Sequence, residues 1–140
     1  MEVRFEILGD PVGKGRPKFT TVSGFAKAYT PKKTENYETC VRNAYGDYYF
    51  GNEELVVEIT AYFQLQKTHY TKKGINASGM KKLNGEINPT TKPDTDNIAK
   101  IILDALNGIA YHDDSQVVDL RVCKRYAEQP KVEVYITDEV

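Results

Sequence analysis

Alternating apolar and polar residues predict four long strands along the chain. In the first strand, Val3, Phe5 and Ile7 occupy every second position between charged residues, which is the spacing of a strand with one buried face. The other three apolar rows are Val57, Ile59, Ala61, Phe63 and Leu65; Val118, Leu120 and Val122; and Val132, Val134 and Ile136. The segment from Lys18 to Thr30 predicts a shorter, basic hairpin that turns at Ser23-Gly24.

Apolar residues at three- and four-residue spacing predict two helices. The first helix opens at Thr30-Pro31, and its apolar row is Tyr37, Cys40, Val41, Ala44, Tyr45 and Tyr48. The second helix ends at Asn107-Gly108, and its apolar row is Ile98, Ile101, Ile102, Ala105, Leu106 and Ile109. Leu103 falls on the other face of this helix, beside Asp96 and Lys100, so we expect an exposed leucine that marks an interface.

The order of these elements predicts an α+β fold, approximately β-α-β-α-β-β, with a mixed sheet and helices packed on it. We interpret residues 1–140 as a single domain that is long enough to bury a core. No apolar run is long enough to span a membrane, and the N-terminal residues begin as a strand, so we expect a cytoplasmic protein. Cys40 and Cys123 are interpreted as reduced packing residues.

Four aspartates lie at the two ends of the second helix. Asp94 and Asp96 stand at its start, and Asp113 and Asp114 follow in a short loop that can fold back alongside it. Each aspartate alone is typical of a cap or a turn, and Asp96 with Lys100 is a helical ion pair. Their accumulation, with two further aspartates against a single lysine, favours a bound cation because clustered carboxylates repel one another. Since Mg²⁺ prefers oxygen ligands, the stretch predicts a divalent-metal site.

Other sites that contain an Asp-x-Asp motif fit this context less well. A haloacid-type phosphatase carries the motif at the end of a buried strand, whereas the proline-containing segment 88–93 precedes it here. An EF-hand needs a central glycine and a closing glutamate within about twelve residues, and this chain turns directly into helix. The sequence contains no Gly-rich P-loop and no zinc motif, and His112 is interpreted as a loop residue.

Basic residues are concentrated in two segments, although the formal net charge is only −1. Residues 11–33 contain six lysines or arginines and no acid, and residues 64–93 contain six lysines and one acid. Both segments are rich in turn-forming residues and are predicted to be loops. Solvated basic loops are common, but two of them beside a carboxylate site suit a nuclease whose cationic arms bind the DNA backbone. The candidate DNA-binding residues are Lys14, Arg16, Lys18, Lys27, Lys72, Lys73, Lys81 and Lys82.

The acidic stretch contains three short motifs in a fixed order: Lys-Pro-Asp94-Thr-Asp96-Asn97 followed by Lys100, then Leu103-Asp-Ala-Leu-Asn-Gly108, then Asp113-Asp114-Ser-Gln-Val117. This pattern resembles the RusA family of Holliday junction resolvases, small metal-dependent endonucleases common in phages and prophages. The matching residues cover about the central fifth of the chain. The N-terminal Gly13-Lys14-Gly15-Arg16-Pro17 looks like the branch of the family from Gram-positive bacteria and their phages.

The resemblance implies that Asp94, Asp96 and Asp114 are the metal-binding catalytic carboxylates. It also implies that Lys100 is a catalytic lysine and that Asp113 lies beside the metal site. We therefore expect a crossover junction endodeoxyribonuclease that uses Mg²⁺ or Mn²⁺ to resolve four-way DNA junctions during DNA recombination and repair. Symmetric nicks in two strands call for a two-fold homodimer, in agreement with the dimers of RusA-like proteins.

Several alternatives stay open at this point. The sequence does not decide whether one or two metal ions act, whether Asp113 is a ligand, or which bases are preferred at the cut. A metal-dependent nuclease acting on flaps or replication forks would use the same catalytic residues. A non-catalytic DNA-binding protein, whose acidic residues only cap a helix and form turns, is the other alternative.

Overall fold

The computed structural model describes residues 1–22 and 24–140 and has the predicted α+β architecture. The helices are α1 (Lys32–Tyr45), α2 (Ala77–Leu83) and α3 (Thr95–Leu106). The strands are β1 (Glu2–Leu8), β2 (Lys18–Val22), β3 (Phe25–Tyr29), β4 (Leu55–Gln64), β5 (Tyr70–Thr71), β6 (Gly74–Ile75), β7 (Val117–Ala127) and β8 (Lys131–Thr137). Short 3₁₀ turns, Lys67–His69 and Asp114–Gln116, precede β5 and β7. The predicted basic hairpin is β2–β3, and Ser23 of its predicted turn lies outside the described residues.

Four strands form the main sheet, in the order β1-β8-β4-β7. β8 pairs antiparallel with both β1 and β4, whereas β4 pairs parallel with β7, so the sheet is mixed as predicted. Along β4, Val57, Ile59 and Ala61 are buried and Glu58 is exposed. The alternation follows from the period of two along a strand, because helices cover only one face of the sheet.

The core lies between this covered face and the two longer helices, α1 and α3. The buried residues include Tyr37 and Val41 of α1, Ile98, Ile101, Ile102 and Leu106 of α3, and Val132, Val134 and Ile136 of β8. Each large apolar side chain removed from water contributes about 1.5–3 kcal/mol to stability. The apolar rows predicted for β4, β8 and most of α1 and α3 are therefore confirmed. No helix in the described residues is long and apolar enough to cross a membrane.

Several positions that we predicted to pack inward are exposed. Val118 is 56% exposed and Leu120 is 42% exposed, because β7 lies at the edge of the sheet and the helices leave part of it uncovered. Tyr48 and Ile109 are exposed because each lies beyond the end of its helix. Cys40 is also exposed, since α1 buries a narrower row than the sequence suggested. The interpretation of Cys40 as a packing residue is therefore wrong.

Leu103 shows the opposite deviation, because it is buried and belongs to the core. The loop that follows α3 turns back over this face of the helix, and Tyr111 in that loop is fully buried. The Tyr111 hydroxyl donates a hydrogen bond of 2.7 Å to the Leu103 carbonyl oxygen. Leu103 is thus covered from within the chain, and the expectation that it marks an interface is wrong.

The segment 64–93, which we predicted to be a loop, contains the β5–β6 hairpin and α2. Asn76 caps α2, since its side-chain oxygen accepts a hydrogen bond of 2.8 Å from the Gly79 backbone. The buried His69 faces the same oxygen, with 3.1 Å between its Nδ1 and Asn76 Oδ1. α2 has only seven residues, too few for a helical periodicity to stand out in the sequence.

Candidate active site

The segment 11–17 runs across the N-terminal ends of α1 and α3. The Lys14 amide donates a hydrogen bond of 2.9 Å to the Asn97 carbonyl in the first turn of α3. The next amide, that of Gly15, donates a hydrogen bond of 3.2 Å to Thr34 Oγ1 in the first turn of α1. The segment is therefore fastened to both helices by consecutive backbone groups.

Both glycines of the Gly-Lys-Gly motif are required by this close approach. A Cβ atom on Gly13 would lie 2.9 Å from Pro93 Cβ, and one on Gly15 would lie 2.6 Å from Thr34 Oγ1. Neither distance is compatible with an ordinary van der Waals contact. The motif that the sequence analysis singled out thus has a local cause, which is the passage of the backbone directly over two helix ends.

A groove of about 680 Å³ lies between this segment and the starts of α1 and α3. Five basic residues are among those that line it: Lys14, Arg16, Lys18, Lys33 and Lys92. Asp94 is the one acidic residue among the described residues of the lining. It is the N-cap residue of α3, yet its side chain accepts no capping hydrogen bond from the described backbone. The cap interpretation therefore does not account for this carboxylate, which is exposed at the edge of a cationic groove.

A polar stripe extends from this end of α3 toward the other. It consists of Asp96, Lys100 and Asp104, which are four residues apart and so follow one another about 6 Å along the helix axis. Asp96 and Lys100 are exposed, whereas Asp104 is half-buried. Lys14 Nζ lies 3.4 Å from Asp104 Oδ2 and 3.3 Å from Glu38 Oε1 of α1. The lysine of the Gly-Lys-Gly motif is thus the counter-charge of two acids.

The second pair of aspartates lies in the turn beyond α3. The Asp114 amide donates a hydrogen bond of 2.9 Å to Asn107 Oδ1 at the end of the helix. Asp113 caps the turn through two hydrogen bonds. Its Oδ2 accepts one of 3.0 Å from the Ser115 amide, and its own amide donates one of 2.8 Å to Gln116 Oε1. The hydrogen bonds from Ser115 lower the pKa of the Asp113 carboxyl below its ordinary value. Asp113 therefore stabilises the turn through its Oδ2 and its backbone amide.

Asp114 is in a different electrostatic position from its neighbour. Partial burial, together with the nearby carboxylates of Asp113 and Asp104, raises the pKa of the Asp114 carboxyl. The raised pKa means that the folded protein stabilises the ionised form of Asp114 less than water does. A cation at this position would remove that cost, which is the electrostatic behaviour expected of a carboxylate that serves as a metal ligand.

Comparison with known proteins agrees with the resemblance of the acidic stretch. The family model described as Endodeoxyribonuclease RusA matches residues 9–137. The chain belongs to the RusA endodeoxyribonuclease family. A Bacillus subtilis (strain 168) protein named Uncharacterized protein YqaN is 34% identical over 139 residues, which are 97% of this chain and 96% of that protein. Membership of the RusA family implies a nuclease that acts on DNA junctions, and RusA family nucleases generally use a divalent metal ion.

The carboxylates fit such an ion in their chemistry but lie in two groups. Within residues 1–22 and 24–140, no three His, Cys, Asp or Glu side chains are close enough together to hold a metal ion. Asp94 and Asp96 lie about 12–15 Å along the axis of α3 from Asp104, which is the aspartate beside Asp114. Each group alone offers exposed or half-buried carboxylate oxygens, and Mg²⁺ is often held by one or two carboxylates plus substrate phosphate.

The other predicted DNA-binding lysines lie away from the groove lining, with one exception. Lys18 lines the groove. Four other candidate lysines are exposed on the β2–β3 hairpin, in the β5–β6 turn and on α2: Lys27, Lys72, Lys73 and Lys81. Lys82 is half-buried, and its Nζ lies 2.6 Å from Gln66 Oε1 and 2.9 Å from His69 Nε2. Lys82 therefore holds α2 against the preceding turn.

Some residues of the site were absent from the candidates that the sequence supplied. Lys33 and Lys92 line the groove, and both belong to the basic segments already recognised. Asp104 could have been found from its position eight residues after Asp96 on the same helical face. Glu38 has no comparable signal, because its contact with Lys14 depends on how α1 packs beside α3.

Proposed function

We propose that this protein is a Mg²⁺- or Mn²⁺-dependent endodeoxyribonuclease that resolves four-way DNA junctions by paired, symmetric nicks. It would act in the cytoplasm during DNA recombination and repair. The observation that carries the proposal is the groove, whose described lining contains five basic residues and one acidic residue, Asp94. A nuclease site needs this combination, since cations bind the phosphate backbone and an anion is tolerated only where a metal ion is held.

The groove supports binding of the DNA backbone in two ways. Arg16, Lys18 and Lys33 present cationic side chains to it and are exposed. The N-terminal ends of α1 and α3 border the same groove, and the partial positive charge at a helix N-terminus favours a phosphate. Lys14 has a different role, because Glu38 and Asp104 already neutralise it. We assign Lys14 to the positioning of the segment over the helices.

Asp94, Asp96 and Asp114 are the residues that would hold the metal ion, with Asp104 as a further candidate beside Asp114. A bound divalent ion would generate hydroxide from water and offset charge on the leaving oxygen. Lys100 lies between the two acidic groups along α3 and would stabilise the additional negative charge of the transition state. Asp113 would keep the 113–116 turn in shape, since its carboxylate is already engaged by Ser115.

The separation of the two acidic groups supports a dimeric enzyme. The N-terminal and C-terminal groups of one α3 are too far apart to share one ion, but a two-fold axis can bring the first group of one copy beside the second group of the other. The exposed Val118 and Leu120 on the outer edge of β7 follow directly after the 113–116 turn. An apolar strand edge with unpaired backbone groups is a suitable contact for a second copy.

The decisive experiment compares a four-way junction with a mobile core, a flap and a linear duplex, each with Mg²⁺, Mn²⁺ or chelator. We expect paired nicks at symmetry-related positions in the junction only, and only with a divalent ion. Cleavage of the flap without paired nicks in the junction would support the flap or fork nuclease instead. Binding of the junction without cleavage in either metal ion would favour the non-catalytic DNA-binding protein.

A further inference from the structure

The β2–β3 hairpin projects from the protein without a core of its own. All side chains of β3 are exposed, as are those of Lys18 to Thr21 in β2. Its two phenylalanines are among the most exposed large apolar residues of the described chain, with 73% for Phe19 and 78% for Phe25. A two-stranded hairpin is at best marginally stable by itself, and large apolar side chains gain stability from burial. The hairpin therefore has the properties of a binding element.

The two faces of the hairpin differ in composition. Tyr29 pairs with Lys18, and Lys27 pairs with Thr20, so these residues lie on one face. Phe25 lies on this face too, because it is two residues before Lys27. The opposite face contains Phe19 with Thr21, Ala26 and Ala28. One face thus combines both lysines of the hairpin with two aromatic rings, and the other carries a single phenylalanine among small residues.

Charge and continuity indicate DNA as the occupant of the lysine-bearing face. The hairpin contains no acidic residue, and its first residue, Lys18, also lines the groove. A DNA backbone bound in the groove would therefore lead directly onto the hairpin. The centres of protein–protein interfaces are depleted in lysine, which argues against a second protein on this face. Aromatic rings next to cations are typical of surfaces that bind unstacked bases and their phosphates.

The dimensions of the hairpin suit the branch point of a junction. Five residues in each strand give it a length of about 17 Å, so its tip can reach bases when its base lies against the backbone. Phe25 is the first described residue after the turn, and Tyr29 stands at the base. Apolar side chains that enter a base step unstack it and stabilise a bent or opened DNA.

We propose that the β2–β3 hairpin enters the branch point of the DNA, where Phe25 stacks on a base while Lys18 and Lys27 bind the adjoining phosphates. The proposal rests on the proposed function and adds the element that distinguishes branched from linear DNA. Phe25 is a specificity residue in this account and takes no part in bond cleavage.

Phe25→Ala and Phe19→Ala make a matched pair for the test, because both remove an exposed phenylalanine from the same hairpin. Binding is measured in chelator with a junction that carries 2-aminopurine at the branch point, with the same probe placed in an arm, and with linear duplex. We expect wild type to increase the branch-point fluorescence. Phe25→Ala should abolish most of that increase and weaken junction binding about tenfold, with duplex binding unchanged. Phe19→Ala should behave as wild type.

Three outcomes would overturn the proposal: equal effects of the two substitutions, no effect of Phe25→Ala on the branch-point signal, or conversion of a wild-type dimer into a monomer by Phe25→Ala. The last outcome, seen by light scattering, would make the hairpin a subunit contact. Failure of the wild type to prefer the junction over duplex would overturn both this proposal and the proposed function. Selective binding and a branch-point signal without cleavage would overturn only the nuclease.

Discussion

The two ends of α3 place carboxylates in opposite surroundings. At the N-terminal end, Asp94 lies at the edge of a groove whose lining contains five basic residues. At the C-terminal end, Asp114 lies beside Asp104 and Asp113, and burial and mutual repulsion raise its pKa. Lys14 offsets part of the charge there through Asp104. The N-terminal end is therefore a carboxylate site beside a cationic groove, and the C-terminal end is an acidic cluster in contact with Lys14.

The difference shows that the aspartates of one acidic stretch can lie in two surroundings with different physical properties. A carboxylate among cations is already compensated by the protein, so its loss changes binding and chemistry more than stability. A carboxylate among carboxylates destabilises the folded chain until a cation arrives. Substitutions at the two ends should therefore affect cleavage alike and metal-free stability differently.

The largest effect should come from Asp96→Asn at the N-terminal end. If Asp96 holds the metal ion, initial rates of junction cleavage should fall by at least about 100-fold, since even outer-shell partners of metal ligands account for 10–100-fold. The melting temperature should change little because the side chain is exposed. Asp47→Asn, which changes an exposed aspartate in the loop after α1, is the matched control. A cleavage rate for Asp96→Asn within about threefold of that control would contradict the assignment.

Gly15→Ala should disturb the N-terminal end of α3 by displacing the segment 11–17 that crosses it. The new Cβ would meet Thr34 Oγ1 at 2.6 Å, and overpacking of this kind costs about 1–3 kcal/mol in the free energy of unfolding. Urea denaturation measures the loss, and DNA binding should weaken with it. In a Thr34→Ala background the clash with the hydroxyl is absent, so the same substitution should cost less. Equal costs in the two backgrounds would show that the segment does not lie as close to α1 as described.

At the C-terminal end, Asp114→Asn should raise the melting temperature of metal-free protein at neutral pH, by about 1–2 °C. Its pKa is raised in the folded state, so the ionised carboxylate destabilises the fold above that pKa, and the cost disappears as the pH falls through it. The gain should therefore shrink toward pH 4. Asp113→Asn is the contrasting control: its pKa is lowered, so its carboxylate stabilises above the unfolded pKa and its loss should lower the melting temperature at neutral pH.

A Tm gain for Asp113→Asn equal to that for Asp114→Asn would contradict this assignment of the two carboxylates. With saturating Mg²⁺, wild type should melt at a higher temperature than Asp114→Asn, because an ion that binds only the folded state stabilises wild type. Thermal melts with and without Mg²⁺ therefore test the electrostatics and the ligand role of Asp114 in one series.

The smallest effects are expected for Arg16→Ala and Lys14→Ala. The first should change the salt dependence of DNA binding, and the second should change the melting temperature. Arg16→Ala should reduce the slope of log affinity against log salt by about 0.9, the value for one phosphate contact, and leave the melting temperature unchanged. Lys14→Ala should lower the melting temperature, because it leaves Glu38 and Asp104 without their counter-charge. Fluorescence anisotropy between about 50 and 200 mM salt provides the slopes. Equal slopes for wild type and Arg16→Ala would place that side chain away from the backbone of the DNA.

The sequence predicted those parts of the fold in which one face of an element is fully covered. Val57 and Ile59 of β4 are buried, as their alternation indicated. The predictions failed where the cover is partial or unexpected: Leu120 is exposed on an edge strand, and Leu103 is buried under a loop. Periodicity reports which face of an element is apolar, but whether another element covers that face depends on the tertiary arrangement.

The same limit applies to the candidate site. Spacing along the chain grouped Asp94, Asp96, Asp113 and Asp114 at the two ends of one helix, and the resemblance to the RusA family implied that Asp94, Asp96 and Asp114 bind the metal ion. Spacing could not show that α3 keeps its two ends apart, nor that Lys14 turns inward to Asp104. Local patterns specify the chemistry of a side chain, whereas its partner is chosen by packing between elements distant in sequence.

The position of β8 in the middle of the sheet has a consequence for how the enzyme is made. Among the described residues, β1 pairs only with β8, and β4 pairs only with β7 and β8. Both of these partner strands come after α3 in the chain. During synthesis the nascent chain would therefore carry α3 and its acidic motif before a sheet exists to support them. Contacts so distant in sequence fold slowly. We expect the nuclease to become active only after β8 has paired with β1 and β4, so that incomplete chains do not cut DNA.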